Sequence, residues 1–136
     1  MIILDSSFLV AFAVETDTNH LKAVKIMDDI VREKYGRLCI TDYIFDETVT
    51  VIFIKTKKLA KAVSVGNALK KSVEIIDVDK NSFEDAWNKF KRQKKTDFSF
   101  TDCTTLAVME ANEIKNIATF DEDFKMVKEI NVIGVE

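Results

Sequence analysis

Met1-Ile2-Ile3-Leu4 runs into Asp5, and far along the same chain Asn116-Ile117-Ala118-Thr119-Phe120 runs into Asp121. Short, largely apolar runs of this kind read as buried strands of a parallel sheet, and the ligands of such sheets sit outside the carboxyl ends of the strands. Two acids at that edge mark a candidate site. Glu47 and Asp102, in otherwise apolar or hydroxyl-rich surroundings, bring to four the acids expected to converge there. Such a cluster resists full ionisation unless cations offset it, because like charges a few ångströms apart raise each other's pKa. Bound divalent metal is the simplest compensation.

Between these runs, strand-like and helix-like segments alternate. A short helix is expected over Ser7 to Val14, and a longer one over Thr18 to Lys34, with Thr18 as N-cap, Gly36 as stop and an apolar face of Leu21, Val24, Met27, Ile30 and Val31. Arg37 to Thr41 reads as a second strand. A helix over Asp42 to Lys57 follows, with apolar positions Ile44, Phe45, Val49, Ile52 and Phe53, and then a helix over Leu59 to Lys71. Val73 to Val78 is the third strand, and Ser82 to Lys94 a helix with Phe83, Ala86, Trp87 and Phe90 on one face. The helix Thr101 to Asn112 is expected to open at Asp102. The strand Asn116 to Phe120, a short helix near Asp123 to Lys128 and a last strand over Asn131 to Val135 complete the order. Repeated β-then-α order implies a three-layer α/β/α fold with a mainly parallel central sheet.

With 136 residues, no proline, three glycines and no repeat or linker, the chain reads as one domain over residues 1–136. That length buries about two-thirds of the unfolded surface without staples. The 47% hydrophobic and 32% charged composition is that of a globular protein rather than a disordered one. No segment reaches the roughly 20 apolar residues of a membrane span, and Asp5 interrupts the first apolar run with no basic region before it, so a cytoplasmic protein is expected. Cys39 and Cys103 lie far apart, with no CxxC spacing and a single histidine, His20, in the chain. This argues against zinc and for two buried thiols. His20 reads as a surface residue near a helix start.

The net charge of −3 hides a segregation of basic residues. Residues 55–73 hold six lysines and no acid, and residues 87–95 hold five basic residues and no acid. These stretches suit a polyanion held beside an acidic metal site, or else form solvated helix faces.

Each candidate acid has a plainer alternative. Asp5, at a strand-to-helix junction in Asp5-Ser6-Ser7, suits an N-cap as well as a ligand, as do Thr101 and Asp102 at the start of a later helix. Asp121, opening Asp121-Glu122-Asp123, suits an Asx turn. For Glu47 the alternative is a solvated helix acid, but Phe45, Val49, Ile52 and Phe53 surround it in sequence, and a buried Glu needs a partner such as a cation.

Taken together, Ile3-Leu4-Asp5-Ser6-Ser7, Glu47 within a helix, Ser99-Phe100-Thr101-Asp102-Cys103 and Ala118-Thr119-Phe120-Asp121-Glu122-Asp123-Phe124 resemble the PIN-domain ribonucleases, especially the VapC-type toxins. The resemblance covers nearly the whole chain. It implies that Asp5, Glu47, Asp102 and Asp121 are metal-binding catalytic acids, with Ser7 and Thr119 as supporting polar positions and Asp97 and Asp123 as additional contributors. It also implies Mg²⁺ or Mn²⁺, one ion activating water and a second stabilising the leaving oxygen, with products carrying a 3′-hydroxyl and a 5′-phosphate. RNA is the implied substrate. The basic stretches would hold its backbone, while Phe98, Phe100 and Trp87 either stack on bases or pack in the core.

The expected activity is that of a metal-dependent endoribonuclease, the toxin of a toxin–antitoxin pair. A housekeeping RNA-processing nuclease and a non-catalytic RNA-binding module of the same fold are the alternatives. A dehalogenase-type phosphatase needs a second Asp where Ser7 stands, and a receiver domain needs an acidic pair ahead of its phosphorylated Asp, for which Asp5 lies too early. The apolar helices Ile44 to Phe53 and Leu59 to Leu69 are the expected surfaces for a homodimer and for a helix of a small antitoxin.

Overall fold

The computed structural model describes residues 1–136. In chain order it contains β1 (Ile2–Leu4), α1 (Ser6–Ala13), α2 (His20–Val31), β2 (Leu38–Thr41), α3 (Asp42–Thr56), α4 (Leu59–Ser72), β3 (Glu74–Ile76), α5 (Lys80–Arg92), α6 (Phe100–Ala111), β4 (Asn116–Ala118), a 3₁₀ turn (Glu122–Met126) and β5 (Asn131–Ile133). The sheet order is β3-β2-β1-β4-β5 and every pairing is parallel. Helices cover this sheet in a three-layer α/β/α arrangement.

β1 occupies the centre. Ile2, Ile3 and Leu4 are all buried, as are Ile40 of β2 and Ile117 of β4, which is why these strands read as unbroken apolar runs instead of alternating ones. Each such side chain stabilises the fold by about 1.5–3 kcal/mol relative to an exposed one. From β1 the chain builds outward through β2 and β3 on one side, then crosses back to place β4 and β5 on the other. The order therefore reverses between β1 and β4, and a crevice opens at their carboxyl ends. Leu4 pairs with Ala118, so the residues just beyond the two strands, Asp5 and Thr119, face one another across it.

Several local expectations are corrected. α2 begins at His20 instead of Thr18 and has no side-chain cap. It buries Ala23 and Ile30, with Ile26 and Met27 packed partly against the core, while Leu21, Val24 and Val31 are exposed. Apolar residues cover more of this helix than the sheet can, so the stripe at 23, 26/27 and 30 docks and its neighbours face outward. Likewise α5 buries Ser82 and Ala86, leaving Phe83, Trp87 and Phe90 exposed. Its N-cap is Asp79, which accepts from the backbone of Ser82 at 2.8 Å. His20 is half-buried and tied through Nδ1 to the Ala11 carbonyl oxygen at 2.8 Å. Cys39 and Cys103 are buried free thiols, as expected.

The turn after β5 packs tightly against the end of β4. Gly134 has φ +119°, and a Cβ there would collide with the Thr119 carbonyl oxygen. Gly134→Ala is expected to lower the free energy of unfolding by about 1–3 kcal/mol, as backbone strain of this kind does. Urea denaturation of the two proteins at one pH measures it.

Candidate active site

Asp5 follows the last residue of β1 and stands at the N-cap position of α1, yet its side chain makes no capping bond. Its carboxylate, 2% exposed, turns into the crevice instead. Oδ2 accepts from the hydroxyls of Thr119 at 2.6 Å and Ser7 at 2.9 Å. Those hydroxyls in turn accept from backbone amides beyond β4: Phe120 N–H donates to Ser7 Oγ and Asp121 N–H to Thr119 Oγ1, both at 3.0 Å. Each hydroxyl thus relays between the carboxylate and the end of β4, fixing α1, β1 and β4 in one register. The serines of Asp5-Ser6-Ser7 do not cap α1 either. Ser6, whose role the sequence reading missed, donates its hydroxyl to Glu47 Oε1; its place beside Asp5 was the available signal.

Glu47 lies on α3, a helix started by Thr41, whose hydroxyl accepts from Ile44 N–H at 3.0 Å. Its turn of α3 packs on the start of α1, so the half-buried carboxylate reaches Ser6, and its charge is felt at Asp5. Asp102 lies in the first turn of α6. The cap of that helix is Ser99, not Thr101 or Asp102: Ser99 Oγ accepts from Asp102 N–H at 3.1 Å and Asp102 Oδ2 accepts from Ser99 N–H at 2.9 Å, a reciprocal capping box. One oxygen of Asp102 therefore holds the helix start. Asp121 behaves similarly, since Oδ1 accepts from Asp123 N–H at 2.9 Å in the turn that follows β4. The Asx turn expected as an alternative to a cation role is present, and it leaves Oδ2 free of protein donors.

Electrostatics join the four acids. Burial raises the pKa of Asp5 above the ordinary range, against the lowering effect of its hydroxyl donors, and Glu47 adds to the rise. Asp102 is pushed up to about 7, first by burial and then by the charges of Asp5 and Asp121, against its bonds to Ser99. Asp97 and Asp123 are not among the charges that act on either group. Asp123 Oδ2 instead accepts from Asp97 N–H at 2.7 Å, tying the loop before α6 to the turn after β4, and Asp97 itself is exposed.

The donor set fits a hard divalent cation. Asp5 Oδ1 is buried and has no hydrogen-bond partner, and a buried carboxylate oxygen left in that state is costly unless a cation meets it. Every candidate donor is a carboxylate oxygen. The nearest soft donor, the Cys103 thiol, is held at about 11 by burial and by Asp102. No three of the acids stand close enough together to hold an ion.

The shift at Asp102 has a consequence for stability. The folded protein holds this proton up to about pH 7, the unfolded chain only to about 3.8. The folded state is therefore favoured at acid pH and loses that advantage as pH rises through this window. In chelator, Asp102→Asn is expected to gain stability relative to the unmodified protein progressively between pH 4 and 7, as followed by urea denaturation at each pH.

Residues 2–130 match the PIN domain family. The chain is 31% identical over 126 residues to the VapC ribonuclease of Archaeoglobus fulgidus, covering 91% of this chain and 79% of that protein. It is 27% identical over 124 residues to the 23S rRNA-specific endonuclease VapC20 of Mycobacterium tuberculosis, covering 91% and 92%. The crystal structure of that VapC20, described as a sarcin-ricin loop cleaving toxin, superposes with a TM-score of 0.85 at 25% identity over 96% of this chain and 97% of that one. VapBC2 of Rickettsia felis, solved on a DNA fragment from its promoter, shares the fold at a TM-score of 0.68 and 16% identity, covering 97% of each chain. With Asp5 held by a hydroxyl from the end of the neighbouring strand β4 and a family match spanning nearly its whole length, this chain belongs to the PIN-domain family.

Proposed function

We propose that residues 1–136 act as one nuclease domain, a Mg²⁺- or Mn²⁺-dependent endoribonuclease that serves as the toxin of a VapBC-type toxin–antitoxin pair. The carrying observation is the Asp5 carboxylate, buried, gripped on one oxygen by Ser7 and Thr119 and free on the other, with Glu47, Asp102 and Asp121 around it. Kinship with proteins named as ribonucleases of the VapC type supports the same reading.

Asp5, Glu47, Asp102 and Asp121 would hold the cation. When bound, it lowers the pKa of water for attack on phosphorus and offsets charge on the leaving oxygen. The protein's own contribution is positioning and field. Ser7 and Thr119 keep one Asp5 oxygen engaged so that the other points into the crevice, Ser6 orients Glu47, and Ser99 fixes Asp102 against α6. Asp97 and Asp123 support the site through the loop they join. Departure of the 3′ oxygen leaves a 3′-hydroxyl and a 5′-phosphate.

The partners are RNA, a second copy of the chain and a small antitoxin. Phe53, Leu59 and Val63 are exposed along the groove between α3 and α4, which Phe45, Val49 and Ala62 also line, an apolar surface of the kind that receives the apolar face of a helix. No helix is long and apolar enough to cross a membrane, and this reading has the protein act on RNA in the cytoplasm.

Purified protein is expected to cleave mixed-sequence RNA with Mg²⁺ or Mn²⁺, to stop in chelator, and to be inactive as Asp5→Asn. Folded, inhibitor-free protein that cleaves nothing with either metal would sink the nuclease reading in favour of the RNA-binding module. Thr119→Val, which removes the relay to Asp5, is expected to weaken metal-dependent activity about 10- to 100-fold, the usual cost of losing a group that orients a ligand. Activity titrated against Mg²⁺ concentration measures the loss.

A further inference from the structure

The exposed aromatic residues of α5 are not scattered. Phe83, Trp87 and Phe90 are 41%, 45% and 36% exposed, and their spacings of four and three put them on one face of the helix. Trp87 and Phe90 stack with centroids 5.8 Å apart and planes 12° apart. All three meet Phe100, which Phe83 approaches edge-on at 5.0 Å and which also reaches Tyr43 at the start of α3 at 6.4 Å. Phe100 opens α6, two residues before Asp102. A continuous aromatic surface thus runs from α5 to the first turn of the helix that carries one of the site acids.

A cation borders this surface. Lys91 places its ammonium 5.9 Å from the centre of the Trp87 ring. Lys91 takes part in none of the protein's ion pairs, in contrast to Lys89, which is bound to Asp85 and Glu110. A single-stranded nucleic acid meets both halves of the surface at once, because bases stack on aromatic faces while phosphates pair with Lys and Arg.

We infer that the aromatic face of α5, together with Phe100, is a stacking platform for unpaired bases of the RNA substrate next to the scissile bond. The inference rests on the ribonuclease reading and adds to it a preference for unstacked RNA over duplex, since bases inside an A-form helix have no free face to offer.

Trp87 is the only tryptophan in the chain, so its fluorescence reports on this surface alone. The full-length protein in chelator is titrated with a mixed-sequence single-stranded RNA and with the matching perfect duplex. Saturable quenching by the single strand, weaker with the duplex, is the expected result. In Mg²⁺, Trp87→Ala is expected to raise KM for the single strand about tenfold with kcat within about twofold, and Trp87→Phe to restore KM. Cleavage that proceeds without quenching, or an unchanged KM in Trp87→Ala, would overturn the platform while leaving the nuclease intact. Trp87 emission that shifts with protein concentration in the absence of RNA, alongside a sedimenting dimer dissolved by Trp87→Ala, would assign the face to a second copy and overturn it as well. Absence of any cleavage with either metal would remove both readings.

Discussion

Carboxylates brought together at the end of a sheet repel one another, and the protein has to hold them there against that repulsion. The bond from Thr119 to Asp5 is the point on which this depends. It spans the crevice between β1 and β4, it satisfies half of a fully buried acid, and it exists only because Leu4 pairs with Ala118. Shift that register by one residue and the hydroxyl faces the wrong side of the sheet. Ser7 repeats the arrangement from α1, so strand pairing, helix start and carboxylate orientation are consequences of one small network.

The remaining acids are held by a different principle. Asp102 and Asp121 each spend one oxygen on starting a helical turn. Capping and ligation are commonly treated as rival explanations of an Asp at such a junction, but a carboxylate has two oxygens, and here the cap takes up only one of them. The backbone amides at these turns also carry partial positive charge, which moderates the repulsion; the pKa of Asp102 still stands raised, first by burial and then by the charges of Asp5 and Asp121.

Much of this was legible in the chain. Ile2-Ile3-Leu4 and Asn116-Ile117-Ala118 announce central strands because burial on both faces leaves no room for polar alternation, and the acids that end them mark the crevice. The family resemblance, carried by the same segments, fits the geometry in which Asp5, Glu47, Asp102 and Asp121 influence one another. What could not be read was which apolar residues the protein leaves uncovered. Leu21, Val24 and Val31 of α2, and Phe83, Trp87 and Phe90 of α5, follow helical spacing as faithfully as core residues do, but only the position of a helix over the sheet decides which stripe is covered. Ser6 and Ser99 were similarly obscure, since several hydroxyl residues adjoin each junction and sequence does not say which one reaches a carboxylate.

The central place of β1 bears on how the protein is made. β1 is flanked on one side by β2, which follows within forty residues, and on the other by β4, which follows more than a hundred residues later. Until then one edge of an entirely apolar strand lacks its neighbour, a state that favours association with other chains. A nascent chain that has not yet reached Thr119 has no hydroxyl at the end of β4 to meet Asp5, so the buried carboxylate of β1 gains that partner only after β4 has been made.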